Sequence, residues 1–271
     1  MSERTVREAR RAAVVGAGAW GTTFACLLAE AGTPTTLWAR RDHVAAEINA
    51  GSNERYVPGR RLPEGVSATS DLGRAVEGAD LIVVAVPSQS AREVLSPLQG
   101  GLGPDVLAVS LMKGVELGTG LRMSQVLTEA LDLPAERVAV ISGPNLADEI
   151  AARQPTATVV AATDEAVAAR VAALCATSTF RPYTNTDVLG VELCGAIKNV
   201  IALAVGAAVG CGFGDNSKAT IITRGLVEIT RLGMALGASP ETFSGLAGLG
   251  DLVATCSSPL SRNQTFGRRL G

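Results

Sequence analysis

A chain of 271 residues, 47% hydrophobic and 18% charged, has room for one large or two ordinary domains and is too apolar to stay disordered. Its formal net charge of −2 argues against a nucleic-acid binder, which needs a basic face. Five cysteines, at 26, 175, 194, 211 and 256, show no CxxC pair or ligand-like spacing, so free thiols in a reducing compartment are expected, with no metal centre.

The opening MSERTVREARRAA is charged and lacks the apolar core of a secretory leader, which suits a cytoplasmic protein. Short β-branched runs then alternate with helical patterns. Strands are predicted at 12–16, 35–40, 81–86, 106–111, 138–142 and 156–162, with FRPYTN (180–185) as a last one. Helices are predicted between them at 21–31, 43–50, 90–98, 122–131 and 165–175. Near-continuous apolar strands predict a parallel sheet covered on both faces, the doubly wound α/β architecture. From about Asp187 the pattern turns helical, with long helices at 188–209 and 217–236. The expected division is therefore a dinucleotide-binding, Rossmann-type domain over 1–187 and an all-helical, substrate-binding domain over 188–271. The longest apolar stretch, 200–213, is shorter than a bilayer span. Gly206 and Gly210, four apart, should let a neighbouring helix approach closely.

VVGAGAWG sets Gly16, Gly18 and Gly21 as G-x-G-x-x-G directly after the first strand and at the start of a helix. Such glycines permit a tight turn and close backbone approach to a pyrophosphate at the positive helix end. The second strand ends WARR, so Arg40 and Arg41 stand where an NAD site often has a carboxylate. Arginine there can pair with a 2′-phosphate, which favours NADP over NAD. The alternative is a pair of solvated surface arginines.

Three lysines stand against 21 arginines. A lysine in such a chain suggests either a need to lose a proton near neutrality, which arginine does not meet, or chance survival. Lys113, in SLMKGVE, falls just past the carboxyl end of a predicted strand, where open α/β sheets bind ligands. ISGPNLADEI turns at Gly143 and Pro144 into a helix facing the same crevice, and GLGDLVATCSSPLSRN carries Asp251, Thr255, Arg262 and Asn263. Lys198 is the one formal charge in LCGAIKNVIALAVGAAVG. It could snorkel outward, be paired in the interior, or act chemically. Together these groups suit a small anionic substrate beside a dinucleotide.

The order GAGAWGTTFA, NERYVPG, VPSQ, SLMKGVE, ISGPNLADE, ELCGAIKNVIALA, NSKATIITRGLVE and GLGDLVATCSSPLSRN resembles the NAD(P)-dependent glycerol-3-phosphate dehydrogenases of bacteria, from Ala12 onward. The family reduces dihydroxyacetone phosphate to sn-glycerol 3-phosphate, the phospholipid backbone. The resemblance implies cofactor contacts from Ala19, Trp20, Arg40, Arg41, Tyr56, Lys113, Ala147 and Arg262. It implies substrate contacts from Lys113, Gly143, Asn145, Lys198, Asp251, Ser261, Arg262 and Asn263, and a homodimer. The family more often has Ser or Thr where Asn145 stands, and it runs some tens of residues past Gly271.

Hydride delivery to the C2 carbonyl leaves charge on oxygen, so a proton donor must stand there. The only histidine, His43, follows the second strand on the cofactor side, which leaves Lys198, with Lys113 and Asp251 as its catalytic neighbours. Burial and Lys113 should lower the pKa of Lys198 while Asp251 raises it and orients it; the sequence leaves that balance open. Arg262 and Asn263 would hold the substrate phosphate. Two rivals share parts of this pattern: a dehydrogenase of the β-hydroxyacid or ketopantoate reductase type, and a dinucleotide-binding sensor without turnover.

Overall fold

Four successive apolar residues without polar alternation, as at Ala12–Val15 and Leu81–Val84, must be covered on both faces, and they form the centre of one sheet. The computed structural model describes residues 11–271; the charged opening segment at 1–10 lies outside the described residues. The strands are β1 (Ala12–Val15), β2 (Thr35–Trp38), β3 (Val66–Thr69), β4 (Leu81–Val84), β5 (Leu107–Ser110), β6 (Val138–Ser142), β7 (Thr156–Ala162) and β8 (Phe180–Asn185). Their spatial order is 3-2-1-4-5-6-7-8.

Helices α1 (Ala19–Glu30), α2 (Asp42–Asn49), α3 (Leu72–Val76), α4 (Ala91–Leu95), α5 (Met123–Leu131), α6 (Ala147–Ala151) and α7 (Glu165–Cys175) connect the strands. Phe24 and Leu28 of α1, Ile48 of α2 and Val171 of α7 pack on one face. Leu95 of α4 and Val126 and Leu127 of α5 pack on the other. Strand β3 and helix α3 have no counterpart in the predicted elements. VSAT lies at the sheet edge with one buried residue, so it needs no apolar run to mark it.

The expected all-parallel sheet is corrected at β7, which runs antiparallel to β6 and carries β8 parallel to itself. The connection from Ser142 to Thr156 holds only the five-residue α6. A helix of that length rises about 7.5 Å, about half the length of β6, and cannot return the chain to the opposite edge. The chain therefore re-enters the sheet where it left and runs downward.

Two descending strands bring the chain to the amino edge, where α8 (Val188–Gly210) begins. Val188 and Val191 pack on Val140, Val159 and Ala161, so the foot of α8 belongs to the sheet. Higher up, Gly195 lies against Ser142 and Lys113 at the carboxyl edge. The rest of α8 stands beyond that edge with α9 (Asp215–Ala235), α10 (Pro240–Ser244), α11 (Asp251–Ser257) and α12 (Arg262–Leu270). Asp187 joins the layers: its carboxylate accepts from Gly190 N (2.8 Å), Ser239 N (2.9 Å) and Thr242 Oγ1 (2.7 Å). It thus caps α8 and anchors the start of α10.

The expected close approach at Gly206 and Gly210 is present, and α12 answers it with Gly267 and Gly271. A Cβ on Gly206 would stand 2.1 Å from Gln264 O, and one on Gly267 would stand 2.2 Å from Leu203 O. The contacts advance together along both chains, so the helices run parallel. At 23 residues α8 is, by length and composition, able to cross a membrane, which the shorter 200–213 stretch was not expected to do. Half of its most apolar window is buried in the fold, and its Glu192 and Lys198 are ion-paired to other elements. These are properties of a central core helix.

Candidate functional site

Strand order reverses between β1 and β4, and the loop after β1 opens at that switch point. Gly16 has φ +119°, and a Cβ there would stand 2.8 Å from Ala85 O. A Cβ on Gly21 would meet Gly16 O at 1.9 Å. These two glycines close the turn onto the sheet. Gly18 differs: among the described residues, apart from its own chain neighbours, nothing comes within 4 Å of the place its Cβ would fill. The start of α1 has no side-chain cap and no acidic residue in its first turn. A bare backbone face before an uncapped helix end fits a pyrophosphate.

Residues expected at the dinucleotide divide by how they face this loop. Ala19 and Trp20 form the first turn of α1, but the indole packs edge-on against Phe24 (5.5 Å) and near Phe180 (6.3 Å). Trp20 therefore has its backbone amide to contribute. Arg40 is exposed and Arg41 half-buried just after β2. Tyr56 lies half-buried under the Arg55 guanidinium, 5.6 Å from its ring centre. The loop bearing it is tied to the glycine turn by Asn53, fully buried, whose Nδ2 donates to Thr22 Oγ1 (2.9 Å) and Ala17 O (3.2 Å). Ala147 begins α6, which packs on α1.

The lysines converge on one carboxylate. Lys113 Nζ donates to Asp251 Oδ2 (2.6 Å) and to Gly143 O (2.9 Å). Lys198 Nζ pairs with Asp251 Oδ1 and donates to Thr255 Oγ1 at 2.7 Å. Asp251 is 1% exposed and Lys198 7% exposed. Lys198 is thus paired in the interior and does not snorkel. Burial, seconded by the Lys113 charge, outweighs the attraction of Asp251 and pushes the Lys198 pKa down to about 7. Asp251 follows a wide turn, Leu246–Gly250, in which Gly250 N donates to Gly245 O. A Cβ on Gly248 would stand 2.1 Å from Phe243 O, so that turn requires glycine.

Gly143, at φ +149°, turns its carbonyl to Lys113. Asn145 Nδ2 donates to Thr158 Oγ1 (2.9 Å), while its Oδ1 is buried without a partner among the described residues. A buried acceptor of this kind can take a hydrogen bond from a donor that enters the site. Ser261 is buried and caps α12 by accepting from Gln264 N (3.3 Å). Arg262 and Asn263 are exposed in the first turn of α12. The glycine contacts set that turn level with residues 201–202 of α8, about one helical turn beyond Lys198.

Other residues at the site escaped the sequence reading. Gly195 has no room for a Cβ, which would stand 2.9 Å from Ser142 Oγ and 3.3 Å from Lys113 Cγ. Glu192, buried on α8, accepts from Ser124 N (2.7 Å) and Ser124 Oγ (2.6 Å) and pairs with Arg122. A carboxylate two turns before Lys198 in an apolar helix was the available signal.

The site can be compared with known proteins. The family described as NAD-dependent glycerol-3-phosphate dehydrogenase N-terminus matches residues 11–168, and its C-terminus counterpart matches 187–271. A Streptomyces griseus protein named glycerol-3-phosphate dehydrogenase (NAD(P)+) is 61% identical over 262 residues, 96% of this chain and 78% of that protein. One of the same name from Thermobifida fusca is 59% identical over 263 residues, with 96% and 78% covered. The crystal structure of a glycerol-3-phosphate dehydrogenase from Coxiella burnetii matches with a TM-score of 0.90 at 39% identity, over 96% of this chain and 80% of that one.

Proposed function

The chain belongs to the NAD-dependent glycerol-3-phosphate dehydrogenase family, and from that premise we propose which residues carry its reaction. It is an oxidoreductase that reduces dihydroxyacetone phosphate to sn-glycerol 3-phosphate with NADH or NADPH, in glycerophospholipid metabolism. The rival substrate class and the sensor without turnover fall away with that membership.

When bound, the dinucleotide supplies the hydride. Gly18 and the first-turn amides of α1 would hold its pyrophosphate, with Tyr56 and Ala147 on the neighbouring segments. Lys198 gives its proton to the oxygen that gains charge at C2 and takes it back in the reverse direction. The observation that carries this reading is the Lys113–Asp251–Lys198 arrangement: one buried carboxylate orients both ammoniums, and the lowered pKa suits proton exchange near neutrality. Asn145 Oδ1 accepts from a substrate hydroxyl. Arg262 and Asn263, at the positive end of α12, take the phosphate.

NADPH is the preferred donor on this reading, because Arg40 and Arg41 stand at the end of β2 where a 2′-phosphate would lie. Replacing both by alanine should lower kcat/KM with NADPH and spare NADH; equal loss with both donors would sink the preference. A homodimer in the cytoplasm completes the reading, checked by mass in solution.

The function is tested by following NADPH oxidation with dihydroxyacetone phosphate and, in parallel, with unphosphorylated dihydroxyacetone. Turnover confined to the phosphorylated ketone is expected. Comparable rates with both would remove phosphate recognition from the proposal.

A further inference from the structure

Glu192 is a buried carboxylate that the reaction does not use. It lies at the foot of the site, on the face of α8 turned toward α5. Helix α5 starts with Arg122 at its N-cap position, and Glu192 accepts the Ser124 amide there. The first turn of one layer is therefore capped by a side chain from the other, 68 residues away. Arg122, paired to the same carboxylate, ends a small hairpin: it bridges Val115 in antiparallel fashion, and Glu116 N donates to Leu121 O at 2.9 Å. Lys113 stands at the other root of that hairpin. Gln89 grips its outer arm, donating to Val115 O (2.8 Å) and accepting from Leu117 N (2.9 Å).

We propose that Glu192 is a positioning residue: by pairing Arg122 and capping α5 it holds the 113–122 hairpin against α8, which fixes the spacing of Lys113 and Lys198 on the two oxygens of Asp251. Gly195, on the same helix, leaves room for Lys113, at the hairpin root, to seat against α8. This inference rests on the proposed roles of the two lysines. With the latch open, Lys113 can withdraw and water can reach Lys198.

The chain's three lysines, 113, 198 and 218, make a direct test practical. Lysine labelled with ¹³C at Cε gives three NMR signals, assigned by Lys→Arg replacement, and the Lys198 signal is followed against pH. The titratable groups facing Lys198 are Lys113 from the loop after β5 and Asp251 and Cys256 from α11. Loss of the Glu192 charge alone would lower the Lys198 midpoint, since an anion favours an ammonium. Release of Lys113 and entry of water would raise it.

Glu192→Gln should therefore raise the midpoint by at least about half a pH unit and lower kcat/KM on the order of 10- to 100-fold. Ser124→Ala, which removes the hydroxyl's bonds to Glu192 and Arg122 but no charge, should do the same more weakly, and serves if Glu192→Gln does not fold. A midpoint that stays put or falls, whatever happens to Tm, would overturn the proposal. If the midpoint rises while Lys198→Arg keeps full turnover, the latch stands and the assignment of Lys198 as acid fails.

Discussion

Lys198 meets three influences, two against its charge and one in favour of it, and geometry decides among them. Water is absent on most sides, Lys113 approaches the same carboxylate, and Asp251 and Thr255 hold the ammonium by direct bonds. Removal from water wins, and the pKa drops to about 7. Lys198→Arg keeps the charge but cannot readily release a proton. It should lose about 10²- to 10⁴-fold in kcat, the usual contribution of acid catalysis; a rate near wild type would contradict the assignment. Stability should respond to the same shift. Between about pH 7 and 10.5 the unfolded chain binds the proton that the folded chain has released, so stability rises with pH across that window. Below pH 7 the full penalty of burying the charge applies. The Tm of wild type relative to Lys198→Met should therefore climb from pH 7 to pH 10, and a constant difference would rule this out. Lys198, Lys113 and Asp251 were legible in the sequence because each is an ionised group beside apolar or glycine-rich neighbours. Glu192 and Asn53 were not, because what marks them is a partner tens of residues away, visible only once the chain is folded.

At the level of elements, glycine has two opposite meanings here. Gly206 and Gly267 are contact surfaces between α8 and α12, with backbone oxygens at 2.1 and 2.2 Å from their missing Cβ atoms. Gly206→Ala or Gly267→Ala must push the helices apart, at a cost of about 1–3 kcal/mol. Tm should fall by several degrees, and the KM for the ketone phosphate should rise because Arg262 and Asn263 ride on α12. Gly18 is the reverse case, an ordinary backbone conformation facing open space. Gly18→Ala should leave Tm unchanged and weaken dinucleotide binding; unaltered affinity would show that the pyrophosphate does not approach there. The 206/210 spacing was readable as a close approach, but its partner was not, since Gly267 and Gly271 sit in a polar stretch whose apolar pair, Phe266 and Leu270, marks an exposed face and not the buried one. Strand direction was equally hidden. VAVIS and TATVVAA look alike as buried strands, and the reversal between them follows from the length of α6, a quantity that apolar patterning does not register.

Over the whole molecule, two layers were foreseeable from the change of period near Asp187, and the reaction from motifs spread along both. How the layers join was not. Because β7 and β8 descend, α8 starts beneath the crevice, crosses the carboxyl edge beside Ser142 and Lys113, and ends among the upper helices. On the proposed reading substrate and dinucleotide meet across that edge, and Lys198 is delivered there by a helix rooted in the lower layer. Arg262→Ala should accordingly act on one side of the cleft alone, raising KM for dihydroxyacetone phosphate at least tenfold while leaving dinucleotide affinity intact; a parallel loss of both would mean that Arg262 bridges them.

The rooting of α8 has a mechanical corollary. A rigid rod embedded at its lower end transmits torque instead of bending at the seam between the layers. Any opening of the cleft must therefore swing the glycine loop and its dependants past α8 and α12, which the contacts at Gly206 and Gly267 hold together as one mast. Across such a cycle Lys198 is the stationary datum from which the travel of the dinucleotide is measured.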